Sequence, residues 1–288
     1  MPKVFVILLN WNNWNETQEC LESLGKVTCD NFQVVIVDNG SSSEERNKIK
    51  GAHTIYNEAN LGFAGGNNAG IKYALEQGAD YVMLLNNDTI VAPDFLTELV
   101  KVAESNPSFR ILGSRIYKYG TDEVVFDGGS VNKWLNKAEH TMHNTQHITY
   151  FPVDYITGAA MLIRRELIEK IGLMREEYFL YYEDVDWCLR AQKAGYKCMV
   201  VPESHVWHKV SATTREGSPS YIYYHTRNAL MLAKFNGNFI QKTAAYFIGA
   251  WILLKQIPKF LLIPDKRVWA KSMTKGVLDF YRGRYGKY

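Results

Sequence analysis

Cysteine is scarce in this 288-residue chain: Cys20, Cys29, Cys188 and Cys198, with no C-x-x-C pair among them. No secretory leader is expected either, since MPKVFVILLNWNN enters an apolar strand and then turns polar. With neither feature to argue for an oxidising compartment, no disulfide framework is expected, and reduced thiols in the cytoplasm are. The dinucleotide fingerprint G-x-G-x-x-G and the P-loop G-x-x-x-x-G-K-[ST] are both absent, which removes the two commonest phosphate-binding signatures. There is no internal repeat and no low-complexity linker, so one large domain, or one domain with an appendage, is expected.

The 47% apolar and 22% charged residues are ordinary for a soluble globular protein. The net charge of +3 hides an asymmetry. From Lys234 to Tyr288, eleven Lys and Arg face only Asp265 and Asp279, a net of +9, so residues 1–233 carry −6. Acidic body and basic tail are expected to face different partners. No nucleic-acid partner is expected.

The chain is organised around ADYVMLLNNDT, residues 79–89. Tyr81 to Leu85 is an unbroken apolar run that suits a strand buried on both faces of a parallel sheet. It stops at Asn86, Asn87 and Asp88, and a helix follows Pro93. Open α/β sheets bind ligands at the carboxyl ends of such strands. A carboxylate flanked by amide oxygens there suits a hard divalent cation that keeps waters and shares a diphosphate; it also suits ordinary turn chemistry.

Before this stretch, Lys3–Leu9, Phe32–Val37 and Thr54–Tyr56 read as strands separated by helices. NEANLGFAGGNNAGIKYALEQG reads as a glycine-rich loop feeding a helix from about Asn67 to Gln77. Such alternation argues for a parallel, doubly wound sheet. Beyond Pro107 the pattern changes. ILGSRIYKY, EVVFDGGSV and HITYFPVDYI read as shorter strands of an antiparallel or mixed extension, and GAAMLIRRELIEKIG as a strand entering a helix. YFLYYEDVDWCLRAQKAGY reads as a loop entering a helix that ends at Gly195, KCMVVP as a strand, ESHVWHKVSATTREGSP as a loop, and the remainder as two or three helices.

Asp38, at the end of the second strand, is placed to accept from a base N–H or a ribose hydroxyl, or to cap a helix. The glycines of LGFAGGNNAG permit close approach of backbone N–H groups to a ligand. In YYEDVDWCLR the acids Glu183, Asp184 and Asp186 crowd a helix start, which the helix dipole favours. The aromatic run FLYY before them would partly desolvate one, and a carboxylate so placed can act as general base toward a hydroxyl. The loop His208 reads as solvated or packed, or as completing an oxygen-rich metal site.

VILLNWNN, VVIVDNGSS, NEANLGFAGGNNAGI, YVMLLNNDT, TGAAMLIRR, YYEDVDWCLRAQKAGY and VWH occur in this order over about residues 3–233. Together they resemble the family 2 glycosyltransferases of GT-A fold, rhamnosyltransferase-like branch. The resemblance implies a doubly wound, mostly parallel sheet with a mixed extension. It implies a catalytic domain over 1–217, with a nucleotide-sugar half at about 1–106 and an acceptor half at about 107–217. A basic helical region over 218–288 would follow. It implies that Asp38 contacts base or ribose, that Asp184 is the catalytic base, and that Asn60, Gly65 and Asn68 line the donor pocket. Asn10, Asn87 and Glu183 complete the implied substrate contacts. Asn86-Asn87-Asp88 occupies the D-x-D position, with Asp88, Asn86 and His208 as ligands to Mn²⁺ or Mg²⁺. Asn86 departs from the pattern, and its neutral amide should lower metal affinity.

The expected reaction is inverting transfer of a sugar from a nucleoside diphosphate sugar, dTDP-rhamnose by branch resemblance, to a hydroxyl of a glycan or lipid-linked acceptor. Two rivals are a nucleotidyltransferase, which should carry a glycine- and arginine-rich loop where NWNNWNET stands, and a non-catalytic domain binding glycan or a partner enzyme. In the tail, residues 244–264 are apolar for about 20 residues, near a bilayer span, but Lys255, Gln256, Pro258 and Lys259 interrupt them. The tail is expected to lie on anionic lipid at the inner face of the cell membrane, or to pack on the catalytic domain or a second copy in a homodimer.

Overall fold

The structure, a computed structural model, describes residues 1–132, 134, 137–140, 152–209 and 217–288. Strand and helix alternate at first: β1 (Val4–Asn10), α1 (Trp14–Leu24), β2 (Phe32–Asn39), α2 (Ser43–Arg46), β3 (His53–Asn57), α3 (Gly62–Glu76), β4 (Tyr81–Asn86), β5 (Thr89–Val91) and α4 (Phe95–Ser105). Shorter strands follow: β6 (Phe109–Lys118), β7 (Val124–Phe126), β8 (Gly129–Asn132), β9 (Lys137–His140), β10 (Pro152–Val153) and β11 (Ala160–Arg164). Next come α5 (Arg165–Ile171), α6 (Glu183–Lys193) and β12 (Lys197–His208), and α7 (Pro219–Asn236), α8 (Phe239–Leu262) and α9 (Arg267–Arg282) close the chain.

One sheet holds β10-β12-β6-β11-β4-β1-β2-β3 side by side, with β5 paired to β12 and β7 to β6. β4, β1, β2 and β3 run parallel. β11 enters antiparallel between β4 and β6, which makes the other half mixed. Val4 to Leu8 have no exposed surface and Tyr81 to Leu85 almost none. Their uniform apolarity is what burial on both faces requires. A doubly wound sheet with a mixed extension and C-terminal helices is therefore the architecture.

Three local expectations change. The glycine-rich segment is not a loop: α3 begins at Gly62 and runs through all of GFAGG. Glycine disfavours helices locally, but here the helix lies too close to the sheet for side chains. A Cβ on Gly66 would sit 2.4 Å from Leu9, and one on Gly70 would sit 2.5 Å from Ile7. ESHVWH is likewise no loop, because β12 continues to His208 past a register shift between Val201 and His205. Pro202 falls in that irregularity, where a missing ladder donor is tolerated. Ser204, fully buried, donates to Phe95 O at 2.8 Å and shares a hydrogen bond with Ser114 Oγ at 2.7 Å. The third change adds strands, since β5 and β9 are both new. Residues 147–151 and 210–216 of the expected strand and loop lie outside the described residues.

α8 is long and apolar enough to cross a membrane. One face packs: Ala245, Gly249 and Gln256 are buried, and a Cβ on Gly249 would come within 2.7 Å of the Tyr281 hydroxyl of α9. The other face is open, with Phe247 72% and Leu262 77% exposed. Among the described residues, packing on the protein and an uncovered apolar face thus coexist on one helix.

Candidate active site

Register assembles the first part of the site. β1 lies between β2 and β4, opposing Asn10 to Asp38 and Leu9 to Asn86. Asn10 is fully buried and donates to Asp38 Oδ1 at 3.2 Å. Its carbonyl oxygen accepts from Thr17 Oγ1 at 2.9 Å, and Thr17 Oγ1 in turn accepts from Asn87 Nδ2 at 2.9 Å. A chain of side chains, Asp38–Asn10–Thr17–Asn87, therefore ties the three strand ends together. Thr17 went unnoticed in the sequence because it reads as one more polar residue in an amphipathic helix. The second Asp38 oxygen accepts from Arg46 Nε at 2.7 Å and from the Ser41 amide at 3.3 Å.

Asp88 and His208 meet because β5 runs antiparallel to β12, opposing Thr89 to His208. His208 Nε2 stands 3.0 Å from Asp88 Oδ1 and 3.4 Å from Asn86 Nδ2. One carboxylate, one imidazole and one amide converge. No group of three or more His, Cys, Asp or Glu suited to a metal exists among the described residues. That donor set is too small for a closed all-protein site. It fits a divalent cation that takes its remaining oxygens from water and a diphosphate.

The remaining expected donor-pocket residues differ in what they do. Asn60 Oδ1 accepts from Gly62 N at 2.8 Å and from Asn39 Nδ2 at 3.2 Å, which fixes the entry to α3. Gly65 is buried against Leu61, whose side chain a Cβ would meet at 2.8 Å. Asn68 is spent on structure. It donates to Met174 O and Glu176 Oε1, both at 2.9 Å, and accepts from Met174 N at 3.1 Å.

The acids of α6 hang on a strained loop. Phe179, Tyr181 and Tyr182 all adopt positive φ, at 65°, 66° and 74°, a region that costs bulky residues free energy and persists only when surroundings enforce it. Two side chains of α7 enforce it. Asn228 Nδ2 donates to the carbonyls of Tyr178, Leu180 and Tyr181 at 3.1, 2.8 and 2.8 Å. Arg227, fully buried, donates to Glu177 O at 3.3 Å and Tyr178 O at 2.9 Å. The loop also touches the start of α3, where Phe63 N donates to Phe179 O at 2.6 Å. Gly62, at φ 75°, has no room for a Cβ there: it would lie 2.2 Å from that same oxygen. Asn228→Ala is expected to lower kcat about tenfold with donor KM unchanged, as misplacement of a catalytic group does, and to cost about 1–3 kcal/mol of stability. Steady-state kinetics beside a denaturant midpoint checks both.

The three acids separate by environment. Asp186 is fully buried and saturated: Arg190 Nε lies at 2.8 Å, Arg175 Nε at 3.3 Å and Asn236 Nδ2 at 2.6 Å. It holds α6 in place. Glu183 is 4% exposed, and its Oε2 has no hydrogen-bond partner among the described residues. Burial, then the Asp184 charge, pushes its carboxyl well above the usual range. Asp184 is half-buried and accepts from Gly158 N at 3.0 Å and Val185 N at 2.8 Å. Burial raises its carboxyl too, against the lowering effect of those amides and of nearby His140. A further histidine, His225 of α7, lies against Tyr181 and Tyr182, its ring centroid 4.4 and 5.6 Å from theirs. Burial lowers His225 to about 4. Neither histidine was evident from sequence, since nothing local sets it apart.

Asp184 and the end of β4 are joined by one dipeptide. Gly158 N holds Asp184 while the neighbouring Ala159 O accepts from Asn86 N at 2.9 Å.

Comparison with solved proteins places this architecture in the GT-A fold. The chain superposes on GalNAc-T7, solved with UDP, GalNAc and Mn²⁺, with a TM-score of 0.69 at 17% identity, covering 98% of this chain and 56% of that one. On the mannosyltransferase PcManGT from Pyrobaculum calidifontis, solved with GDP-Man and Mn²⁺, the TM-score is 0.61 at 14% identity over 98% of this chain and 88% of that one. The chain belongs to glycosyl transferase family 2, whose model matches residues 5–172. It is 26% identical to the low-salt glycan biosynthesis hexosyltransferase Agl10 of Haloferax volcanii, over 98% of this chain and 92% of the relative. It is 27% identical to the dTDP-rhamnosyl transferase RfbF of Shigella flexneri, over 72% of each. It is 24% identical to the N-acetylglucosaminyl-diphospho-decaprenol L-rhamnosyltransferase of Mycobacterium tuberculosis, over 79% of this chain and 83% of the relative.

Proposed function

We propose that this glycosyltransferase moves a sugar, with inversion, from a nucleoside diphosphate sugar to an acceptor hydroxyl in glycan assembly. The names of its rhamnosyltransferase relatives support dTDP-rhamnose as donor and a glycan or lipid-linked acceptor. The carrying observation is the Gly158–Ala159 dipeptide, which links the Asn-Asn-Asp turn to Asp184 through two hydrogen bonds. The two sets of groups are thereby held at a fixed spacing, and positioning both substrates supplies much of the rate.

In this reading Asp38 and Asn10 bind the nucleoside and Asn87 orients the turn. Asp184 takes the acceptor proton as its oxygen attacks the anomeric carbon, and burial brings its basicity toward the working pH. Glu183, whose carboxyl burial and the neighbouring Asp184 charge push well above the usual range, is read as a substrate contact beside it. Asp88, His208 and Asn86 would hold Mn²⁺ or Mg²⁺, which when bound supplies positive charge for the diphosphate leaving group. The four cysteines are unpaired and buried, in keeping with a cytoplasmic enzyme. The open apolar face of α8 and the basic tail suit the surface of an anionic membrane.

The test is a panel of nucleotide sugars screened by thermal shift with Mn²⁺, followed by donor turnover. A dTDP-sugar should raise the melting temperature in proportion to ln(1 + [L]/Kd) and be consumed when acceptor is added. If no donor stabilises the protein or is turned over, a non-catalytic binding domain is the answer. Asn86→Asp is expected to lower the half-saturating Mn²⁺ concentration about tenfold, since an added carboxylate strengthens a hard-cation site. An unchanged metal titration would remove Asn86 from the ligand set.

A further inference from the structure

A cavity of about 920 Å³ opens between α8, α9 and the C-terminal residues, far in sequence from the strand ends. Its volume is at the upper end of pockets for one small ligand, about 300–1,000 Å³. α8 supplies an apolar wall, Leu253, Ile257, Phe260 and Leu261, continued by Leu278 of α9. Lys271, Arg282 and Lys287 line the same space with no ion pair among the described residues, and Arg284, whose charge acts on Asp279, joins them. Lys275 is already held by the cavity's one acid, Asp279, at 2.9 Å. Gln256 also lines the cavity. It is 4% exposed, donates to Ile252 O at 3.0 Å, and its Oε1 has no partner among the described residues. A buried amide oxygen in that state calls for a donor from a ligand.

We propose that this cavity binds one diphosphate-headed lipid: a single apolar chain along α8, a pyrophosphate ester among the four cations, and a head-group O–H on Gln256. Charge selects the class. A diester phospholipid brings one negative charge, too few for a wall of five basic side chains and one acidic one, whereas a diphosphate brings two or more. The lipid would belong to the acceptor's chemical class. The inference therefore rests on the lipid-facing reading of the tail under the proposed function, but not on the transfer chemistry. The cavity wall is also wired to the catalytic loop, because Tyr223, which lines it, donates to Asp279 at 2.9 Å and accepts from Arg227 Nη1 at 3.1 Å.

The experiment titrates the full chain with geranylgeranyl diphosphate by calorimetry, so that binding is read whether or not any sugar is transferred. Inorganic diphosphate, geranylgeraniol and phosphatidylglycerol vesicles are parallel arms. Saturable 1:1 binding of the lipid diphosphate is expected, tighter than either fragment alone. Lys271→Glu/Arg282→Glu changes two exposed side chains and should weaken it by about tenfold or more, and Leu278→Trp, which fills the cavity, should do the same. Lys242→Glu/Lys255→Glu makes the same charge change on α8 outside the cavity and should leave affinity within about twofold. Equal weakening by both double variants would overturn the site in favour of diffuse surface charge. Inorganic diphosphate binding as tightly as the lipid, or binding confined to phosphatidylglycerol vesicles, would overturn it too.

Discussion

Asp184→Asn is expected to lower sugar transfer by about 10²–10⁴, the usual cost of losing a general base, while donor affinity is retained. The amide keeps the shape of the side chain, and its oxygen can still accept from Gly158 N, now at 3.0 Å from Asp184. Only proton acceptance is lost. Because burial raises the Asp184 carboxyl, kcat of the parent should climb with pH through a limb above the ordinary carboxylate range. The residual activity of the variant should lack that limb. Transfer within a few-fold of the parent would move the base to Glu183; Asp186, locked by Arg190 and Arg175, is no longer a candidate.

Asp88→Ala should be the most damaging change in the Asn-Asn-Asp turn, with activity falling by about 10² or more, as when charge stabilisation at a leaving group is lost. Excess EDTA should silence the parent enzyme, and Mn²⁺ or Mg²⁺ should restore it. His208→Ala removes one neutral ligand among several and should do less, raising the Mn²⁺ requirement more than it lowers the maximal rate. Full activity in EDTA would refute the metal assignment outright. A circular dichroism melt separates these losses from misfolding, since Asp88 is nearly buried and faces His208 at 3.0 Å.

Strands buried on both faces announce themselves by composition alone, which is why Val4–Leu8 and Tyr81–Leu85 were legible together with the turn that ends the second run. The register that opposes Asn10 to Asp38 is a long-range fact that periodicity does not carry. At α3, propensity misled, because glycine's usual meaning was overruled by the approach of Ile7 and Leu9. In β12 the misleading residues were Pro202, Glu203 and Ser204, which look like turn chemistry until the bulge and the buried Ser204 bonds are seen. Arg227 and Asn228 were invisible for a different reason. Their partners are backbone carbonyls about 50 residues earlier, and carbonyls have no sequence signature.

That clamp limits how the protein can be cut. A fragment ending before Ser218 would contain every residue placed here in the transfer chemistry, yet it would lack both side chains that keep the left-handed loop in shape. Phe179, Tyr181 and Tyr182 would be free to fall back to ordinary backbone angles, carrying Glu183 and Asp184 with them. Grafting a foreign C-terminal region onto residues 1–217 would fail in the same way unless the graft supplied an arginine and an asparagine at the same turn of α7. The shortest dissection that respects the clamp includes α7. Even that fragment loses Gly286, whose carbonyl accepts from Arg227 at 2.7 Å and whose amide donates to Glu177 O at 2.8 Å.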